Sequence, residues 1–140
     1  DISPSTGMTG SSLVREIAVN PRNPNEVLAV VSNYGVASAF YTNNATTTTS
    51  PTWQLVEGNI SLASFRSCAI VPTTSGTEYY VGTSIGLFST TSINGNSTNW
   101  TLEGPDFLRG AVISDLVLRT ADNTLLVGTH GNGMFYANIG

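Results

Sequence analysis

Lysine is absent from this chain of 140 residues, and five arginines carry all of its fixed positive charge: Arg15, Arg22, Arg66, Arg109 and Arg119. Nine carboxylates leave a net charge of −4. Nucleic acids are bound through clustered basic residues on phosphates, and anionic bilayers through basic patches, so neither is an expected partner. Charge of both signs is scarce, at 10% of residues against about 25% in ordinary domains. Thr, Ser and Asn fill the polar positions instead. Such side chains suit half-exposed pleated strands and a surface that faces the outside of a cell.

Cysteine is nearly absent too. A single Cys68 excludes an internal disulfide, and its apolar setting, Ser67-Cys68-Ala69-Ile70-Val71, marks it as a small buried hydrophobe. With one cysteine, one histidine and no clustered carboxylates, no metal centre and no cofactor is expected. Long apolar runs are also lacking. The longest aliphatic stretch, Val27-Leu28-Ala29-Val30-Val31, falls far short of the ~20 residues that span a bilayer, so no membrane insertion is expected. Asp1-Ile2-Ser3-Pro4 has neither the charged nor the apolar part of a signal peptide. The expectation is that any signal has been removed or that the chain is an internal piece of something longer.

What the sequence does have is a repeat. Val14-Arg15-Glu16-Ile17, Phe65-Arg66-Ser67-Cys68 and Ile113-Ser114-Asp115-Leu116 open three similar units, with steps of 51 residues from Ile17 to Cys68 and 48 from Cys68 to Leu116. Each opening is followed by a polar turn, an apolar strand (Val27 to Val31, Tyr79 to Val81, Leu125 to Val127), a glycine-containing turn and a third strand around Phe40, Phe88 or Phe135. Trp53-Gln54-Leu55 and Trp100-Thr101-Leu102 close the first two units. There is no 3.6-residue helical pattern. Periods of about 40–50 residues with four short strands per unit indicate β-propeller blades. The expected fold is therefore all-β, with antiparallel four-stranded blades. Residues 1–13 form a lead-in, 14–61 and 62–108 two blades, and 109–140 an incomplete last blade without its fourth strand. Propellers close with about four to eight blades, so about three blades are expected to be part of a larger propeller. The remaining blades, from the same protein or another chain, are its expected partner. The missing outer strand is expected to come from elsewhere in the full protein.

The hairpins before the tryptophans resemble the Asp-box of the BNR-repeat proteins, among them the sialidases, the sortilin-type receptors and the xyloglucanase-type hydrolases. That pattern is roughly Ser-x-Asp-x-Gly-x-Thr-Trp. Here Asn43 and Asn44 precede Trp53 across a Thr-rich insertion, and Asn94 and Gly95 precede Trp100, with the pattern's Asp replaced. The resemblance implies a structural role for Asn43, Asn44, Trp53, Asn94, Gly95 and Trp100. The closing stretch Thr124–Gly140 resembles the last blade of large secreted propellers of Bacteroidota-type bacteria. That likeness implies a secreted or cell-surface location and export by type IX secretion.

Four residues stand out as ligand-binding candidates. His130 is the only histidine and lies in the turn Gly128–Gly133, on the side where the family binds ligands. Arg15 and Arg66 occupy equivalent repeat positions and are able to hold a carboxylate, and Asp115 begins an inner strand. The blander alternatives are surface or packing histidine and arginines paired with neighbouring acids. No catalytic constellation is evident: sialidase chemistry needs three arginines, a tyrosine and an acid together, and inverting hydrolysis needs a spaced pair of acids. The expected function is non-catalytic, a module for binding glycan or a surface protein. The alternatives are a fragment of a propeller glycoside hydrolase and an exported cargo held by secretion or surface machinery.

Overall fold

The computed structural model describes residues 1–60, 63–105, 108 and 110–140. Two expected unit boundaries fall at Ser61/Leu62 and Leu108/Arg109, where Ser61, Leu62 and Arg109 lie outside the described residues. Among the described residues every regular element is a strand, and no helix is long and apolar enough to cross a membrane.

The chain forms three antiparallel sheets in succession. The first contains β1 (Val14–Asn20), β2 (Asn23–Val31), β3 (Ala39–Thr42) and β4 (Gln54–Leu55), in that spatial order. The second contains β5 (Phe65–Thr73), β6 (Gly76–Thr83), β7 (Gly86–Thr90) and β8 (Thr101–Leu102). The third contains β9 (Val112–Arg119), β10 (Thr124–His130) and β11 (Met134–Asn138). Short polar turns join neighbours. Asn20 closes the first by accepting the Arg22 amide on its side-chain oxygen at 2.8 Å. Asn123 takes φ +52° in the β9–β10 turn, and its side chain reaches across to the Pro72 carbonyl at 2.7 Å.

Side chains alternate across each strand, so every sheet has two faces. On β5, Cys68 and Ile70 face the first sheet, whereas Ala69 and Val71 face the third. On β6, Tyr79 and Val81 turn to the first sheet and Tyr80 to the third. The second sheet is thus buried on both faces, as its nearly continuous apolar strands require. One core joins Leu28, Val30, Tyr41, Val56, Phe65, Ile70 and Trp100. The other joins Val71, Leu87, Ile113, Leu116, Leu125 and Val127. The first strands β1, β5 and β9 pack side by side, with β5 in the middle.

The sheets approach closely at Gly82. A Cβ there would lie 2.1 Å from Ser67 Oγ and 2.5 Å from Ile113 Cγ2, so only glycine fits. The two outermost faces are only partly covered. Residues 1–13 lie on the first sheet, where Gly7 sits over Phe40 and Leu55 and Trp53 donates its indole N–H to the Ile2 carbonyl at 2.8 Å. Beside them Ile17 (61% exposed) and Val19 stay in solvent. On the far side of the third sheet, Val117, Met134 (75%) and Tyr136 (77%) are exposed.

Candidate functional site

Each first strand carries one residue too many near its start. Val14 pairs with Val31 and Glu16 with Val30, which leaves Arg15 unmatched. Phe65 pairs with Thr83 and Ser67 with Gly82, which leaves Arg66 unmatched. Asp115 pairs with Gly128 and Ile113 with Thr129, which leaves Ser114 unmatched. These are β-bulges at one repeat position, and a bulge turns its extra side chain out of the regular alternation. The arginines noticed in the repeat are therefore aimed by the backbone.

The two bulges deliver Arg15 and Arg66 into one cleft of about 570 Å³, with Ser12, Ser32, Ser64 and Tyr34 among its lining. Among the described residues the one ion pair is Arg119 with Asp122, at 2.7 Å on the surface; it pulls the Asp122 carboxyl down to about 2. Neither Arg15 nor Arg66 has a carboxylate within ion-pair distance among the described residues. Arg66 Nε is buried with no hydrogen-bond partner. A buried donor left unbonded costs about 1–3 kcal/mol.

Tyr34, which is largely exposed, also lines a second cleft of about 590 Å³. Val36, Ala37, Ile60, Ala63 and Phe65 make that cleft apolar, and Glu57 accepts the Ser38 amide at its edge. One aromatic wall therefore separates a cationic, hydroxyl-lined cleft from an apolar one.

Asp115 lies elsewhere. It is exposed on β9 and couples electrostatically to Glu16 on β1. Partial burial, and next Asp115, raise the Glu16 carboxyl above its ordinary value, while Arg15 draws it down. Glu16 lines a shallow groove along the first strands with Cys68, Leu116 and Leu118. Cys68 is buried and its thiol is pushed up by desolvation. His130 is exposed at the end of β10 and lines neither arginine cleft nor groove. Of the four candidates, then, the fold brings Arg15 and Arg66 together, sets Asp115 beside Glu16, and leaves His130 apart.

The hairpin residues are engaged in the chain's own bonds. Asn44 takes the Thr42 hydroxyl and the Thr52 amide on its side-chain oxygen, at 2.8 and 2.9 Å, and Asn43 is exposed beside it. Gly95, at φ +53°, donates its amide to Gln54 of the first sheet, and Asn94 donates to Thr98 Oγ1. Trp100 is 3% exposed, donates to the Val56 carbonyl at 2.8 Å, and has its backbone held on both sides by the Asn59 amide group. Trp53 is half-buried.

Two carboxylate arrangements escaped the sequence. Glu26 is buried between the first two sheets. Its Oε2 accepts the hydroxyls of Tyr41 and Tyr79, each at 2.5 Å, and its Oε1 accepts the Asn20 amide at 2.8 Å. The two rings meet edge to face at 5.8 Å, and burial with the Glu26 bonds pushes both phenols up. Glu78 and Glu103 share a polar cleft of about 560 Å³ with Ser89, Thr90, Asn94 and Asn99. Desolvation and then Glu103 raise the Glu78 carboxyl, and Glu103 accepts the Ser89 hydroxyl at 2.5 Å. Glu26 had a signal: it is an acid within β2, set directly before the longest aliphatic run of the chain, Val27 to Val31. No three His, Cys, Asp or Glu side chains cluster as metal ligands do among the described residues.

No protein-family model and no curated protein matches this chain.

Proposed function

We propose that the chain is a run of blades from a BNR-like β-propeller, part of a larger ring in a secreted or cell-surface bacterial protein. Its task in this reading is to bind glycan or a surface protein without cleaving it. One observation supports this most. Three sheets of one repeat stack face to face with β5 between β1 and β9, and two arginines without an ion-pair partner among the described residues gather with an exposed tyrosine where β1 and β5 begin. The bare apolar residues Ile17 and Val19 on one side and Val117 and Met134 on the other stand at the repeat positions of Cys68, Ile70, Ala69 and Leu87, which the middle sheet buries. Further sheets of the same kind would cover them.

A panel of polysaccharides, neutral and acidic, tests the reading on the intact protein, with retention and release of reducing ends both recorded. Retention without release is expected. Release of sugar would overturn the non-catalytic reading, and retention of nothing on the panel or on intact bacterial surfaces would overturn the binding reading.

A hydrolytic reading draws on one observation of its own. Glu78 and Glu103 differ in environment across a hydroxyl- and amide-lined cleft, and acid–base pairs divide their roles through such differences. Loss of release on Glu103→Gln would support it.

A further inference from the structure

We infer that the cleft between the β2–β3 loop and Glu57 is a docking site for a lysine side chain that a protein partner presents among apolar neighbours. The inference deepens the binding reading above, on its surface-protein side, and rests on it.

The repeat departs from itself at one connection. Two residues (84–85) join β6 to β7 and three (131–133) join β10 to β11, but seven (32–38) join β2 to β3. Insertions in a repeat fold gather on its binding face, because loops vary where the scaffold does not. The longer loop is held in shape. Ser38 donates its hydroxyl to the Val36 carbonyl and accepts the Val31 amide on its own carbonyl, and Asn33 Oδ1 accepts the Leu13 amide, each at 2.8 Å. Tyr34 and Val36 still stand in solvent. Between the second and third sheets the corresponding corner is filled: Leu108 is buried over Gly104, and Gly110 donates to the Ile85 carbonyl. Between the first and second sheets it is an open cleft of about 590 Å³, walled by Tyr34, Val36, Ala37, Ile60, Ala63 and Phe65.

The lining selects the occupant. Among the described residues Glu57 is the one charged group of this cleft, and Arg15 and Arg66 line the other one. The Ser38 amide holds one oxygen of Glu57. The second oxygen has no hydrogen-bond partner, and no cation lies within ion-pair distance, among the described residues. A carboxylate between apolar walls is screened less than one in open water, so a cation gains more beside it. An arginine fork bonds two oxygens at once, and one here already serves Ser38, whereas an ammonium needs only one. A lysine stem also lies along apolar surface while its head stays polar. Tyr34 at the rim is the kind of residue that protein interfaces cover. These 140 residues contain no lysine, so a second copy of them does not supply the side chain.

The test uses the intact protein and densely immobilised peptides blocked at both ends, each with one central residue between leucines: lysine, Nε-acetyl-lysine or arginine. Acetylation removes the charge and keeps the stem. The lysine peptide should be retained about tenfold or more better than its acetylated form, and about threefold better than the arginine form. Glu57→Gln keeps an acceptor for the Ser38 amide and should erase the lysine preference. Tyr34→Ala and Val36→Ser change exposed residues and should weaken the lysine and acetyl-lysine peptides alike, by about threefold. Asp122→Asn removes the same charge from the β9–β10 turn and should keep the preference, which separates docking at Glu57 from general attraction to an acidic protein. No retention of the lysine peptide, equal retention of its acetylated or arginine form, an unchanged preference in Glu57→Gln, or its loss in Asp122→Asn would each overturn the assignment. Retention of glycans or bacterial surfaces with no lysine preference would sink this site and leave the binding reading standing. Sugar release with the Glu57-dependent lysine preference intact would do the reverse.

Discussion

The two interfaces between the three sheets are built on the same repeat and held by different physics. Between the first and second sheets, Glu26 ties Tyr41 and Tyr79 together, Trp100 donates across to Val56, and Gly95 donates to Gln54. Between the second and third sheets the core is largely aliphatic, from Val71 and Leu87 to Ile113, Leu116, Leu125 and Val127. The glutamates show the contrast most directly. Glu78 stands at the repeat position of Glu26, but the partners have changed: Ser89 replaces Tyr41, and Leu125 replaces Tyr79. Ser89 turns to Glu103 instead, and Glu78 is left half-exposed with a raised carboxyl. A repeat thus conserves the backbone while the side chains decide whether an interface is locked by direction or by volume. Directional bonds fix how two sheets are rotated against each other, and apolar packing fixes how near they come.

Substitutions that break this contrast should rank by what they leave unmet. Trp100→Ala removes the largest side chain of the first interface together with its hydrogen bond. It should cost about 3–5 kcal/mol in urea unfolding. Glu26→Ala strands two buried hydroxyls and an amide and should cost about 3 kcal/mol or more. Tyr79→Phe removes one of the three bonds and should cost about 1.5–3 kcal/mol. If the first interface were held by volume alone, Tyr79→Phe would be nearly silent. Gly82→Ala probes the second interface, where added volume has nowhere to go, and should cost about 1–3 kcal/mol.

The smallest effect is one of pH. Glu78 and Glu16 have raised carboxyls in the folded chain, against about 4.3 unfolded. The folded state therefore holds protons that the unfolded state has released. Their contribution to stability rises as pH falls through the raised values toward about 4.3, and is lowest above them. Urea midpoints at pH 7 and pH 5 should show this slope, and Glu78→Gln should flatten it.

Much of this was readable in the residues. The steps from Ile17 to Cys68 to Leu116 gave the succession of strands, because side-chain alternation ties spacing to burial. Arg15 and Arg66 were visible as repeat equivalents, but their shared cleft was not. A bulge is a count of one extra residue across two strands, and it appears only when both strands are paired. Glu26 was hidden for a related reason: its tyrosines come from 15 and 53 residues away, and no local pattern links them. His130 is conspicuous in sequence as a lone histidine in a glycine turn, but sequence carries no sign of where it lies in space, and the fold sets it apart from the other three candidates.

The central claim is that these sheets are stacked units whose bare outer faces are covered by more of the same. Thiol labelling of the intact protein tests it directly, because Cys68 is buried and its thiol is pushed up, so the native cysteine stays silent. Ile17→Cys and Met134→Cys sit on the two outer faces, and Thr48→Cys serves as an exposed control. Much slower labelling at Ile17→Cys and Met134→Cys than at Thr48→Cys is the predicted result. Equal rates at all three would contradict the claim, since both faces would then stand open to solvent.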